Sequence, residues 1–224
     1  MNLTKAEKSF TIIFLVIVLL ELFSSNVQSL FPIHFIAEPL ILLSLIFFFI
    51  NHGKHLSSKT KTITLLALLF SLAGDVLLMF TEKSASFFLS GLVAFLLAHI
   101  MYIKVFFDKK NLKQTSLIFI IVLLIYAIGI FYLLKDGLGD MLIPVILYMI
   151  VILSMVFIAS MRKDNVSNQS YNLVFLGAIF FVLSDSFLAI NKFYQPIPLS
   201  KIIIMSTYSI AQYLIILGLL KQNQ

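Results

Sequence analysis

Apolar residues fill the chain in long runs that short polar stretches separate. The runs fall at about residues 9–23, 33–50, 62–81, 86–106, 115–134, 139–161, 171–190 and 200–220. A helix of about 20 mostly apolar residues is long enough to cross the hydrocarbon core of a bilayer. The pattern therefore predicts an all-α polytopic membrane protein with eight transmembrane helices.

Composition agrees with this interpretation, because 61% of the 224 residues are hydrophobic and only 12% are charged. Eight spans of about 20 residues would use about 160 positions, which leaves no room for a separate soluble domain. We therefore expect one membrane-embedded helical domain over residues 1–224. The chain contains no Cys, which excludes thiolate catalysis and Cys-ligated metals.

The basic residues predict an orientation. Of the 16 Lys and Arg side chains, twelve fall on one side when alternate loops are counted, and the other side has only Lys83, Lys135, Lys192 and Lys201. Cytoplasmic loops carry the excess of Lys and Arg, so both termini are predicted to be cytoplasmic. We expect the chain in the plasma (inner) membrane of a bacterium. Basic residues confined to short loops also argue against nucleic-acid binding.

Two carboxylates interrupt the apolar runs. Asp75 lies in the third run and Asp185 in the seventh, each with small neighbours. An Asp near the centre of a spanning helix costs about 2.5 to 3.5 kcal/mol on insertion scales, and such residues face a bundle interior or a wet cavity. We therefore expect both acids to point towards one intramembrane cavity.

The two halves of the chain show a weak internal repeat, in which a polar residue aligns with a polar residue and a proline with a proline. His99 matches Gln212 at an offset of 113, and Pro39 matches Pro144 at an offset of 105. Helices one to four and five to eight would then be related halves. Four helices per half is an even number, so the halves insert in the same orientation as a 4+4 parallel repeat.

Helical spacing indicates which polar side chains share a face. Ser71 and Asp75 are i, i+4 neighbours, as are Tyr208 and Gln212, while Ser184 adjoins Asp185. We expect one cavity ringed by Asp75, His99, Tyr148, Asp185, Tyr208 and Gln212. Glu21 and Glu38 lie near outer helix ends and are interpreted as interfacial.

Five short segments follow one another on successive helices. They are Gly74-Asp75, then Gly91-Leu92-Val93-Ala94-Phe95 with Ala98-His99 and Tyr102, then Pro144 with Tyr148, then Gly177-Ala178 with Phe181 and Ser184-Asp185, then Tyr208 with Ala211-Gln212. In this order they resemble the YhhN-type lysoplasmalogenase family, over about residues 35 to 217. One position departs from the family pattern, because members commonly have Lys immediately before the proline of helix two and this chain has Glu38.

The resemblance implies hydrolysis of the vinyl ether bond of lysoplasmalogens, with a lysophospholipid substrate, membrane lipids as surroundings, and no cofactor or metal. That reaction begins with protonation of the β-carbon and passes through an oxocarbenium ion, so it needs an acid and an anion. Paired carboxyls serve such needs in glycoside hydrolysis. We assign the catalytic roles to Asp75 and Asp185, in either order. The expected substrate-binding or orienting residues are His99, Tyr102, Tyr148, Ser184, Tyr208 and Gln212.

Two other functions fit the same sequence. Parallel repeats with acids at the midplane also describe proton-coupled carriers of small solutes or lipids. A lipid-binding protein without catalysis fits if the two acids never meet and serve only as hydrogen-bonding groups between helices.

The charge asymmetry generates a topology prediction. Single cysteines introduced at Ser25, Lys83 and Gln195 should react with an impermeant thiol reagent added to intact cells, since the native chain has no cysteine to interfere. Labelling at Ser57 and Asn111 from outside would instead show that the orientation is reversed.

Overall fold

The computed structural model describes residues 3–112 and 116–222, which form eight long α-helices and, within these ranges, no β-strand. The helices are α1 (Lys5–Ser24), α2 (Phe31–His52), α3 (Ser58–Leu78), α4 (Ala85–Phe107), α5 (Leu117–Leu134), α6 (Leu142–Ser160), α7 (Asn168–Phe193) and α8 (Ser200–Leu220). Every helix end lies within four residues of the end of the corresponding apolar run. The all-helical fold class is therefore confirmed.

Hydroxyl side chains fix where several helices begin. In five cases a Ser or Thr immediately before the helix accepts a hydrogen bond from a backbone N–H two or three residues later, at Thr4, Ser57, Ser84, Ser116 and Ser167. Such caps satisfy one of the N–H groups that have no partner within the helix, and each contributes about 1 kcal/mol. The short polar stretches between the runs therefore end one helix and begin the next.

In the part of the chain that the structure describes, seven helices, α2 to α8, are long and apolar enough to cross a membrane, which indicates an integral membrane protein. The sequence predicts eight spans, and α1 is the helix that does not meet this criterion. Glu7 and Lys8 precede its apolar stretch and Glu21 follows it, so only residues 9–20 are free of charge. Twelve residues of α-helix extend about 18 Å, well short of a hydrocarbon core of about 30 Å.

Helix α1 nevertheless packs against the bundle through its aromatic side chains. The ring of Phe10 stacks on Phe48 of α2 at 3.9 Å between centroids, and Phe14 lies 5.1 Å from Tyr213 of α8. At the end of the helix nearer the N-terminus, Glu7 forms a buried ion pair with Lys221 at 3.0 Å. That α1 spans the membrane stays a prediction, as do the 4+4 repeat and the cytoplasmic termini.

The structure refines the choice of positions for cysteine labelling. Lys83 and Gln195 are exposed, whereas Ser25 is only 7% exposed. Lys83 and Gln195 are therefore the better reporters of the outer side.

Glycines allow the closest helix contacts in the bundle. A Cβ atom added to Gly177 of α7 would lie 2.9 Å from the carbonyl oxygen of Ala211 and 3.0 Å from the backbone nitrogen of Ile215 in α8. Gly218 of α8 is equally close to the backbone of Val174. Small residues let helix backbones approach in this way, and van der Waals packing then holds the helices together in lipid. The position of α8 against α7 is fixed by backbone contact.

This contact predicts that Gly177→Ala lowers stability. The added methyl group meets backbone atoms that cannot move independently, and overpacking of this kind costs about 1 to 3 kcal/mol. The midpoint of thermal unfolding of the purified protein in detergent should fall.

Gly129 of α5 offers the matched control, since no atom lies within 4 Å of a Cβ built there. Gly129→Ala should leave the midpoint unchanged or raise it slightly, because Ala is the better helix former. Equal midpoints for the two variants would contradict the proposed role of Gly177.

Candidate active site

The carboxylate of Asp75 on α3 is held by a tyrosine of α8. Tyr208 donates its hydroxyl hydrogen to Oδ2 of Asp75 at 2.9 Å, and Asp75 is only 3% exposed. Gln212 lies one turn further along α8 and points an amide N–H at the Tyr208 oxygen, 3.4 Å away. Tyr208 and Gln212 are i, i+4 neighbours, and both side chains therefore lie on the face of α8 that contacts α3.

Gln212 connects three helices. Its Nε2 atom donates to Oγ of Ser71 on α3 at 3.0 Å, and its Oε1 atom accepts from the hydroxyl of Tyr102 on α4 at 2.6 Å. Gln212, Tyr102 and Ser71 are fully buried. The carboxamide thus uses both its donor and acceptor ends inside an apolar bundle, where each bond has no water to compete with it.

The second carboxylate has its own tyrosine. Tyr148 of α6 donates a hydrogen bond to Oδ2 of Asp185 on α7. Both side chains line two neighbouring cavities, one between α4, α6 and α7 and one towards α5. Neither of these two cavities is lined by Asp75.

The first of these cavities is strongly apolar. Apart from Asp185 and Tyr148, it is lined by Leu78, Phe88, Leu92, Phe95, Val145, Leu188, Ala189 and Phe193. A hydrocarbon chain is the ligand that such walls favour, because only the carboxyl and the phenol present polar atoms.

Aromatic rings lie between the tyrosines that hold the two carboxylates. Phe181 packs edge-to-face against Tyr208 at 5.5 Å and against His99 at 4.6 Å, and His99 in turn meets Tyr148 at 5.4 Å. Phe95 adds a further contact with Tyr208 at 5.8 Å and also lines the first cavity. We call Phe95, His99 and Phe181 the aromatic wall. Each carboxylate therefore belongs to the cluster of its own tyrosine, and this wall lies between the two tyrosines.

The expected ring of six side chains is thus only partly assembled. Asp75, Tyr208 and Gln212 form one cluster, and Asp185 and Tyr148 form the other, whereas the sequence predicts a single cavity. Helical phase predicts which side chains point inward, but it does not predict that bulky rings fill the space between them.

The remaining three residues that the sequence analysis expects to bind or orient substrate lie in three different environments. Tyr102 belongs to the Gln212 network, as described. Ser184 donates to the backbone carbonyl of Ile204 at 3.0 Å, so it joins α7 to α8 and does not contact Asp185 through its hydroxyl. His99 is fully buried, and neither of its ring nitrogens has a hydrogen-bond partner among the described residues.

A further polar cluster was not predicted. His34 of α2 places Nδ1 2.8 Å from Oε1 of Glu21 and Nε2 3.3 Å from Oε2 of Glu38. Glu21 is 1% exposed and Glu38 is 7% exposed, so the protein itself buries both side chains. That the two residues lie near the membrane interface stays a prediction. The i, i+4 spacing of His34 and Glu38 could have indicated part of this cluster from the sequence, since it places both residues on one face of α2.

Comparison with known proteins identifies relatives over most of the chain. Residues 33–219 match the model of the YhhN family. The human protein named lysoplasmalogenase TMEM86A is 29% identical over 181 residues, which cover 79% of this chain and 74% of that protein. The porcine lysoplasmalogenase TMEM86B is 32% identical over 152 residues, and the match spans 68% of this chain but only 61% of that protein's length. No solved structure matches.

The Gln212 network generates a stability prediction. Gln212→Leu should destabilise the protein by about 1 to 3 kcal/mol, because it leaves the buried hydroxyls of Ser71 and Tyr102 without these hydrogen bonds. Thermal unfolding in detergent measures the effect.

Ser209 is the control on the same helix. Its buried hydroxyl has no hydrogen-bond partner among the described residues, so Ser209→Ala should be neutral or stabilising. A Gln212→Leu variant as stable as the parent would show that the network contributes nothing.

Proposed function

The chain belongs to the YhhN family, and from that membership we propose that it is a membrane hydrolase that cleaves the vinyl ether bond of lysoplasmalogens. The products would be a fatty aldehyde and a glycerophospho-alcohol. Relatives in man and pig that carry the name lysoplasmalogenase support this proposal, at 29 to 32% identity.

One observation carries the mechanism: Asp185 and Tyr148 are the polar groups on an otherwise apolar cavity between membrane-spanning helices. An alkenyl chain lying along the leucine and phenylalanine side chains would bring its vinyl ether carbons to this carboxyl. Such positioning is itself a large part of catalysis, because it replaces a chance encounter with a held geometry.

We assign the proton donation to Asp185. In its acid form the carboxyl transfers its proton to the β-carbon of the vinyl ether, where a C–H bond forms with the electrons of the double bond. The neighbouring carbon becomes an oxocarbenium ion that shares its charge with the ether oxygen. The hydrogen bond from Tyr148 stabilises the carboxylate left on Asp185.

Water then completes the reaction. The Asp185 carboxylate accepts a proton from a water molecule as the oxygen adds to the oxocarbenium carbon, which gives a hemiacetal. The hemiacetal hydroxyl proton moves to the departing oxygen, the C–O bond breaks, and aldehyde and alcohol separate. One water is consumed, and Asp185 returns to its acid form.

We assign to Asp75 the electrostatic stabilisation of the oxocarbenium ion, across the aromatic wall. It is buried and held by Tyr208, whose hydroxyl oxygen in turn accepts from Gln212, so its position is fixed before substrate arrives. A fixed negative charge in surroundings without water favours a developing positive charge far more than the same charge would in solution. The sequence leaves the roles of the two acids open, and the position of Asp185 at the cavity favours this assignment.

His99 has a part in this site as an orienting residue. Its ring packs edge-to-face against Tyr148 at 5.4 Å between centroids, so it would help to hold that phenol against Asp185. We place the enzyme in a bacterial plasma membrane with both termini in the cytoplasm. The distribution of Lys and Arg supports this orientation of the termini.

Asp185→Asn and Asp75→Asn should each lower turnover by at least about 10²-fold, the lower end of what a positioned acid or base contributes. Both substitutions keep the shape of the side chain and remove the ionisable group. The assay is aldehyde release from a lysoplasmalogen by purified protein in detergent, with the corresponding ester lysolipid as substrate control. Turnover in detergent, where no compartment exists, would also exclude a function limited to transport.

Asp136→Asn is the matched control, since this loop carboxylate is 88% exposed, and its turnover should equal that of the parent. The variant lacking both buried acids should be scarcely slower than the slower single variant, because residues that act as a unit are not additive. Near-parental turnover in the monodisperse Asp185→Asn protein would refute the assignment.

A further inference from the structure

Two helices bring three metal-ligating side chains together at the junction of α1 and α2. Glu21 lies in the last turn of α1, while His34 and Glu38 lie one turn apart on α2. One oxygen or nitrogen atom from each of the three lies within 4.8 Å of the others. The cluster includes an imidazole and two carboxylates, the ligand types that zinc accepts alongside thiolates.

The spacing of these atoms is close to that of a metal site. Ligand atoms about 2.1 Å from a tetrahedral zinc ion lie about 3.4 Å from one another. Nε2 of His34 and Oε2 of Glu38 are already 3.3 Å apart. Glu21 faces the other ring nitrogen of His34, Nδ1, at 2.8 Å, and its side chain would rotate towards Nε2 to complete the set.

A second observation points independently to a ligand. Glu21 is only 1% exposed, and its Oε2 atom is buried without a hydrogen-bond partner among the described residues. A buried carboxylate oxygen without a partner is unfavourable by about 1 to 3 kcal/mol or more. A cation bound by Glu21 would remove this penalty.

The local charges favour a cation as well. Glu21 lies at the carboxyl end of α1, where the helix dipole disfavours an anion and favours a positive charge. Lys201 is the nearby basic residue, but its Nζ atom donates to the carbonyl of Ser25 at 3.3 Å and lies 5.5 Å from the Phe31 ring centroid. With neutral His34, the two carboxylates would balance the charge of a divalent ion.

From this arrangement we propose that Glu21, His34 and Glu38 bind a divalent transition-metal ion, for which Zn²⁺ is the best fit. Imidazole nitrogen favours zinc and its neighbours in the transition series over Ca²⁺ and Mg²⁺, which prefer oxygen ligands alone. Three protein ligands leave a fourth position for water. The site ties the end of α1 to α2 and is separate from the Asp185 cavity lining.

The test uses the full chain purified in detergent without a polyhistidine tag, stripped with EDTA and then desalted. Titration with ZnCl₂ in a calorimeter should show one Zn²⁺ per chain, and the chain has no Cys to compete for the metal. Glu21→Gln, His34→Gln and Glu38→Gln should each weaken the affinity by at least about 10-fold, since loss of even an outer partner of a metal ligand has that effect.

His52→Gln is the matched control, because His52 lies on the same helix outside the cluster, bonded to the carbonyl of Phe48 at 3.0 Å. The Zn²⁺ affinity of the His52→Gln variant should equal that of the parent. Zn²⁺ should also raise the midpoint of thermal unfolding of the parent but not of His34→Gln, since a ligand stabilises the state that binds it. Ca²⁺ should do neither.

No binding by the parent would overturn the proposal, and it would mean that a protonated His34 simply bridges the two glutamates. Undiminished affinity in all three variants, or equal loss in His52→Gln, would overturn it too. Because the readouts are heat and unfolding temperature, the result is independent of whether the protein hydrolyses lysoplasmalogens.

Discussion

Hydrocarbon offers no hydrogen-bond partner, and this constraint governs the polar interior of the bundle. A buried polar group without a partner is strongly unfavourable, so a buried carboxylate is best matched by a donor from the protein itself. Here the partners come from other helices: Tyr208 of α8 for Asp75 of α3, and Tyr148 of α6 for Asp185 of α7. The same bonds that satisfy the carboxylates therefore also fix how the helices are arranged.

Each aspartate has a tyrosine donor, yet their surroundings differ. Asp75 belongs to a closed network in which Gln212 connects α3, α4 and α8. Among the described residues Asp185 has Tyr148 alone as a side-chain hydrogen-bond partner, and it lines the cavities. A carboxyl held on one side by a phenol and open on the other to an apolar space is suited to transfer a proton to carbon, whereas an enclosed carboxylate is suited to supply a fixed charge.

The sequence predicts the helices well because apolar runs of membrane length leave little choice of structure. It also identifies Asp75, Asp185 and their tyrosines, since polar residues in such runs are conspicuous. It does not predict the aromatic wall, because Phe95 and Phe181 are two of 23 phenylalanines and nothing local distinguishes them. Nor does it predict the His34 cluster, which exists only once the last turn of α1 packs beside α2. The hydrogen bond of Ser184 is equally unpredictable from the sequence, because its acceptor is a backbone carbonyl of α8.

The cavity beside Asp185 lies among helices that cross the bilayer, and in the neighbouring α5 only Leu134 is buried. A lysolipid in the same leaflet would then reach the site by diffusing within the plane of the membrane. Its search is two-dimensional, and the concentration that governs encounter is the mole fraction of substrate among the lipids. Dilution with inert lipid would slow such an enzyme even when the total amounts of protein and substrate in the sample are unchanged.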